Sequence, residues 1–254
     1  MTPDKMIIAD KIQLLGYQKI EGKIECLTGL RIGGGTEVIE IGGLDNTILK
    51  HPVTGEPYIP GSSLKGKMRS LLELYLDKVG KGGVVHTYSS ENCGFNCEIC
   101  RLFGVGGAEG SPFGAGRLIV RDANIESING QQPWERNLTM TEIKWENVIN
   151  RIKGTAERPR QMERVPAGTF FKFRIDYRMF SVKEKEGQED NGNGDTKLFE
   201  WVLKGLKLIE LDTLGGSGSR GYGRVSFGTV TVTDIDGKER TVNIGNDITI
   251  KKTV

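Results

Sequence analysis

The chain has 254 residues, 37% of them hydrophobic and 27% charged, with a formal net charge of +2. That length holds one large domain or two small ones. A charge so near balance excludes a global field for polyanions and leaves only local basic patches. Asp4, Lys5, Asp10 and Lys11 interrupt the first apolar stretches, and no apolar run reaches membrane-spanning length. Neither an export signal nor a membrane partner is expected, and the expected location is the cytoplasm.

In chain order, residues 22–30 read as a first strand, followed by a glycine-rich stretch, 31–60, with almost no periodicity. Residues 62–77 form the clearest helix. Leu64, Met68, Leu71, Leu72 and Tyr75 fall on one apolar face, and Ser62 or Ser63 can cap the helix directly after Pro60-Gly61. Residues 117–125 and 168–177 are strand-like. A second helix is expected over 196–212, with Leu198, Trp201, Val202, Leu206 and Ile209 inward. A glycine-rich loop ends that helix, and residues 225–232 alternate like a strand. The order predicts an α+β fold on the ferredoxin-like βαββαβ plan, which RNA-recognition modules and many unrelated proteins share. Insertions interrupt it at about 80–115 and about 127–167. A third, 184–195, is so rich in Glu, Gly, Asn and Asp that a mobile loop is expected.

The loop Gly215-Gly-Ser-Gly-Ser-Arg-Gly-Tyr-Gly-Arg224 carries the most chemical information. Gly216, Ser217, Gly218, Ser219 and Arg220 offer backbone amides, two hydroxyls and a guanidinium, which suits an extended phosphate chain. It lacks the lysine-serine ending of a nucleotide-triphosphate loop, and taken alone it fits a plain hairpin turn equally well. Ser62 and Ser63 stand at a helix start, where amides and the helix dipole favour anions. Lys65 and Arg69 share one face of that helix and Lys67 projects from another side, either as a phosphate track or as a solvated surface.

His86, Cys93, Cys97 and Cys100 gather one of the two histidines and three of the four cysteines. A Cys3His set closes a zinc shell without leaving a reactive position, so the expected metal is structural. Cys26 reads as a buried small apolar residue. Between 132 and 167, Trp134, Trp145 and Met162 alternate with Arg136, Lys144, Arg151, Lys153, Arg158, Arg160 and Arg164. That mixture suits stacking on or separating bases, or an amphipathic excursion over the core. Asp45, in Ile-Gly-Gly-Leu-Asp-Asn-Thr-Ile, has by itself the context of a turn former. With His86 assigned to metal, no two-histidine ribonuclease site can be built, and any chemistry would rest on carboxylates and a divalent metal.

The segments Leu44-Asp-Asn-Thr-Ile and Pro-Tyr-Ile-Pro-Gly-Ser-Ser-Leu-Lys-Gly-Lys-Met-Arg69, taken with the 215–224 loop, resemble the RAMP superfamily of CRISPR proteins. More narrowly they are similar to the repeated backbone subunit of the type III-A (Csm) effector complex. The resemblance spans about residues 15–235. It implies a single domain with a palm, a zinc-bearing lid (about 80–115) and a thumb hairpin (about 127–167). It implies guide (CRISPR) RNA and single-stranded target RNA as ligands, with further copies of the chain in a filament and other Csm subunits as partners. The family's guide-contacting helix matches residues 62–69, its guide-contacting loop matches 215–220, and its catalytic aspartate matches Asp45. The implied activity is cleavage of guide-paired target RNA, once per copy, with a divalent cation such as Mg2+. Two other readings remain at this stage. One is a guide-holding subunit that does not cut. The other is a guide-processing ribonuclease using Tyr222, beside the glycine-rich loop.

Overall fold

The computed structural model describes residues 9–33, 47–88, 90, 93–94, 96–105, 114–131, 140–184 and 189–250. Two long strands organise it. β1 (Ala9–Cys26) and β7 (Thr169–Glu184) pair antiparallel, from Ala9 opposite Glu184 to Glu25 opposite Phe170. Along β7, Phe171, Phe173, Ile175, Tyr177 and Met179 all turn into the core, as the two-residue period of a strand requires. Six shorter strands extend the pair: β2 (Tyr58–Ile59), β3 (Leu118–Val120), β4 (Ala123–Ile128), β8 (Val225–Ser226), β9 (Thr229–Thr233) and β10 (Glu239–Asn243). The resulting antiparallel sheet runs β10-β9-β1-β7-β4-β2, with β3 also on β7 and β8 also on β1. A separate antiparallel hairpin, β5 (Glu142–Ile149) with β6 (Ala156–Arg164), stands apart from it.

Two long helices, α1 (Gly61–Tyr75) and α3 (Asn193–Leu211), close the core. α1 buries Leu64, Met68 and Leu72; α3 buries Leu198, Phe199, Val202, Leu203, Leu206 and Ile209. Each such side chain is worth about 1.5–3 kcal/mol on burial, so this seam carries much of the stability. The helices touch closely because Gly205 has no side chain: a Cβ there would lie 2.4 Å from Met68 Cγ. Two short helices, α2 (Glu98–Phe103) and α4 (Ile244–Asp247), and tight helical turns at Lys81–Gly83 and Gly218–Arg220 complete the described elements.

The structure moves several boundaries. The first strand begins at Ala9 rather than 22, because its first half pairs with β7 while remaining largely exposed, and so shows no apolar alternation. The stretch expected as one strand over 117–125 breaks into β3 and β4 around Arg121-Asp122, where the Asp122 carboxylate accepts the Gly61 N–H at 2.7 Å and steadies the start of α1. The strand expected to stop at 177 continues to Glu184. Within the stretch expected as a mobile loop, α3 already begins at Asn193, and Asp195 is fully buried. Its carboxylate binds Arg101 at 2.7 Å and Arg117 at 3.0 Å and accepts the Phe180 N–H at 2.9 Å. Asp190 adds a second carboxylate 3.8 Å from Arg101, balancing the two guanidiniums.

Candidate metal centre and nucleic-acid interface

His86 and Cys93 come from the connection after α1; Cys97 and Cys100 sit at the start of α2. Their ligand atoms all lie within 4.8 Å of one another. His86 Nε2 is 3.2 Å from Cys97 Sγ, and the Cys93 and Cys100 sulfurs are 3.6 Å apart. Three sulfurs this close compete for protons. Hydrogen bonds from Cys100 and Cys93 pull the Cys97 thiol far down, with the nearby Lys78 ammonium helping, while the same contacts push Cys100 up. One divalent cation satisfies all four donors at once, and three sulfurs with one imidazole nitrogen is a donor set compatible with zinc. Cys26 is buried elsewhere, and burial, with the Glu25 charge, pushes its thiol up to about 12.

The glycine-rich loop is held rather than loose. Leu214 N–H donates to Gly223 O, Gly223 N–H to Gly29 O, and Gly216 N–H to Arg31 O, at 2.8 to 2.9 Å. Gly223 has φ +73°, and a Cβ there would lie 2.0 Å from Leu214 O, so glycine serves close backbone approach. Gly218–Arg220 forms a tight helical turn after Ser217, whose φ is +62°. Ser219 and Arg220 are exposed.

The hairpin locks onto this loop through Glu146. Its carboxylate accepts the Tyr222 hydroxyl at 2.9 Å and pairs with Arg220 at 2.9 Å and Arg160 at 3.2 Å. Burial works to raise the Glu146 carboxyl, but the Tyr222 hydrogen bond and the Arg220, Arg160 and Lys144 charges outweigh it and hold it below the usual range. Lys144 and Arg164 lie over the Tyr222 ring at 4.4 and 5.0 Å. The phenol is thereby committed, and burial, then the Glu146 hydrogen bond and charge, raise it. Of the expected wedge residues, Met162 is buried, whereas Trp145 is 59% exposed. Trp134 and Arg136 lie outside the described residues.

Asp45 also lies outside the described residues. The stem of its segment does not. Gly33 bridges Ile48, and Leu49 N–H donates to Ile32 O at 2.9 Å. Buried Glu163 on β6 accepts the Ile48 N–H at 3.0 Å and pairs with Lys50, and Leu30 bridges Val165. With Gly216 N–H on Arg31 O, the stem therefore runs between the hairpin root and the glycine-rich loop.

At the start of α1, Ser62 is exposed and Ser63 half-buried; neither caps the helix, whose N-cap position is Pro60. The Ser63 N–H donates to Pro60 O at 3.0 Å. Lys67 pairs at 2.7 Å with Asp212, directly before the glycine-rich loop, and so ties the helix start to it. Lys65 donates to Leu118 O at 3.1 Å; burial, then the neighbouring Arg178 and Arg69 charges, hold its ammonium below its ordinary range. Arg69 points away from this mouth, to Glu73 at 2.8 Å and to the carbonyls of His86 and Gly104 at 2.7 and 3.3 Å.

Against this geometry, the RAMP superfamily model matches residues 23–226. A protein of Methanothermobacter thermautotrophicus, "CRISPR system Cms endoribonuclease Csm3", is 44% identical over 226 residues, covering 84% of each chain. A protein of the same name from Methanocaldococcus jannaschii is 40% identical over 220 residues, 86% of this chain and 81% of that one. The chain belongs to the RAMP superfamily, among the Csm3 endoribonucleases. In shape, this RAMP chain is similar to one in the crystal structure of a Csm3–Csm4 subcomplex of the type III-A CRISPR-Cas interference complex. The two are 27% identical with a TM-score of 0.52, and the match covers 91% and 90% of their lengths.

Two residues of the RAMP chain's site escaped sequence reasoning. Glu146 is one of four glutamates interspersed with six basic residues in the hairpin, so by itself it carries no signal. Glu163 is another of the four, and only the fold shows that it anchors the stem before α1.

Proposed function

We propose that this chain is the repeated backbone subunit of a type III-A CRISPR effector complex, gripping guide RNA and cutting guide-paired target RNA at regular intervals. One observation carries the reading: the stem of the Asp45 segment, the 215–224 loop and the root of the β5–β6 hairpin meet, and Lys67–Asp212 joins the start of α1 to them. Ser62, Ser63, Lys65 and Lys67, with the amides at 217–219 and the side chains of Ser217, Ser219 and Arg220, form the phosphate grip, and Gly216, whose N–H donates to Arg31 O, lets the backbone run close. Arg69 supports it from within the helix. Such contacts hold backbone and leave sequence to base pairing.

The strand order β9-β1-β7-β4, with α1 and α3 between successive strands, supports the ferredoxin-like palm. Residues about 80–115 are the lid and about 127–167 the thumb of one domain spanning 1–254. The four-donor cluster takes structural zinc, which cross-links the lid when bound. The protein works in the cytoplasm beside other Csm subunits and further copies of itself; no helix among the described residues is long and apolar enough to cross a membrane.

Cutting rests on Asp45. The target's own 2′-hydroxyl attacks the adjacent phosphorus as the bond to the 5′-oxygen breaks, giving a 2′,3′-cyclic phosphate and a 5′-hydroxyl protonated from water. Asp45 takes the 2′-hydroxyl proton, or would help hold a divalent cation such as Mg2+ while water takes it. The cation would supply charge neutralisation at the phosphate. Among the described residues beside the stem, Glu163 and Glu146 are both engaged by cations, so one carboxylate acts and much of the rate comes from positioning. An A-form duplex forbids in-line attack, and thumb insertion that displaces a base allows it. In the reconstituted complex, Asp45→Ala should abolish target cutting while guide and target affinities stay within about twofold. Undiminished cutting would leave a subunit that only holds the guide, or one whose chemistry lies elsewhere.

A further inference from the structure

Arg69 was expected on the phosphate track, yet its side chain is only 19% exposed and faces the metal centre. It pairs with Glu73, donates to His86 O and Gly104 O, and lies 5.9 Å from the Phe103 ring centre. Glu73 in turn accepts the His86 N–H at 3.3 Å. The Arg69–Glu73 pair therefore holds both backbone groups of one donor residue and the end of the helix that carries Cys100. Just past the C-terminal end of α1, Lys78, whose N–H donates to Glu73 O at 2.8 Å, reaches Cys97 Sγ at 3.6 Å and pairs with Glu98. Both stretches that bring donors together, at 86 and at 97–100, are thus fastened to α1. The first half of that helix carries Ser62, Ser63, Lys65 and Lys67.

We propose that Arg69 is a positioning residue for the metal centre, and that through it metal occupancy and the grip on RNA are coupled along α1. The RNA half of this inference rests on the function proposed above; the metal half does not. Contacts that orient metal ligands without touching the ion commonly govern affinity by tenfold or more. Coupling between two sites is reciprocal, so if bound metal strengthens the grip along the first half of α1, RNA held there tightens the metal by the same factor. A lysine at 69 offers one ammonium in place of a planar fork and cannot span Glu73 and both carbonyls.

The test loads the full chain with Zn2+ and follows its transfer to a chelator, with and without guide RNA. Arg69→Ala should lower Zn2+ affinity about tenfold, and Arg69→Lys should fall between it and wild type. Guide RNA should slow Zn2+ loss from wild type and leave the rate in Arg69→Ala unchanged. Wild-type Zn2+ retention in Arg69→Ala, with weakened guide binding and a shallower salt dependence, would overturn the proposal and make Arg69 a phosphate contact. Should Arg69→Ala fail to fold, wild-type retention in Arg69→Lys overturns it equally. A wild-type chain that takes up no Zn2+ overturns the metal reading and this brace together. A wild-type chain that binds no guide RNA while Arg69→Ala still loses Zn2+ would overturn the coupling and the proposed function, and leave the brace standing.

Discussion

At the scale of single residues, buried charge separates what is structural from what is available. Asp195, Arg101 and Arg117 are all at most 1% exposed and satisfy one another. Removing the shared carboxylate takes from two buried guanidiniums the counter-charge they share, a loss of about 3–5 kcal/mol by the usual cost of breaking a buried pair. Arg220–Glu146 is the contrast: Arg220 is half exposed, and an exposed pair is worth about 1 kcal/mol or less. Urea denaturation should therefore place Asp195→Ala far below wild type and Arg220→Ala close to it. Equal midpoints for the two variants would mean that the network at Asp195 contributes no more than a surface contact.

At the scale of elements, legibility follows burial. α1 and α3 could be placed to within three residues at each end because one face of each is buried and the other wet, and the alternation along residues 169–177 of β7 was equally plain. The first half of β1 could not be placed, since it is a paired strand with most of its residues exposed. β10 pairs β9 while exposing Glu239, Arg240 and Thr241, and so carried no apolar signal. The Cys3His spacing pointed to a cluster that the fold brings together, because four soft donors within fifteen residues need only one local turn to meet. The start of α1 was half legible. Its basic residues were visible, but Lys67 facing Asp212 and Arg69 facing His86 depend on contacts far away in sequence. That division predicts different phenotypes along one helix. Lys65→Ala with Lys67→Ala should weaken guide RNA binding for every guide sequence and make its salt dependence shallower, by about one unit of slope per lost phosphate contact. Guide-dependent losses in a binding series at several salt concentrations would speak for base reading instead.

For the whole molecule, the proposed cutting at intervals requires a frame that is the same in every copy. The hairpin projects apolar side chains that the core does not use: Trp145 is 59% exposed and Ile152, between the two strands, is 97% exposed. Apolar side chains of this kind act as wedges that unstack a base step. The hairpin root is fixed to the glycine-rich loop by Glu146 and to the stem of the Asp45 segment by Glu163. Hairpin, glycine-rich loop and stem therefore keep one spatial relation within each copy. If identical copies succeed one another along a guide, each repeats that relation after the same number of nucleotides, and the cuts inherit the interval. A guide-matched RNA labelled at one end should give a ladder of evenly spaced products. Ile152→Ser combined with Trp145→Ser should lower the yield of every rung while leaving the spacing unchanged, because the spacing belongs to the stacking and the rate to the wedge. A single cut site, or rungs whose spacing changes with guide sequence, would show that the interval is not set by the protein.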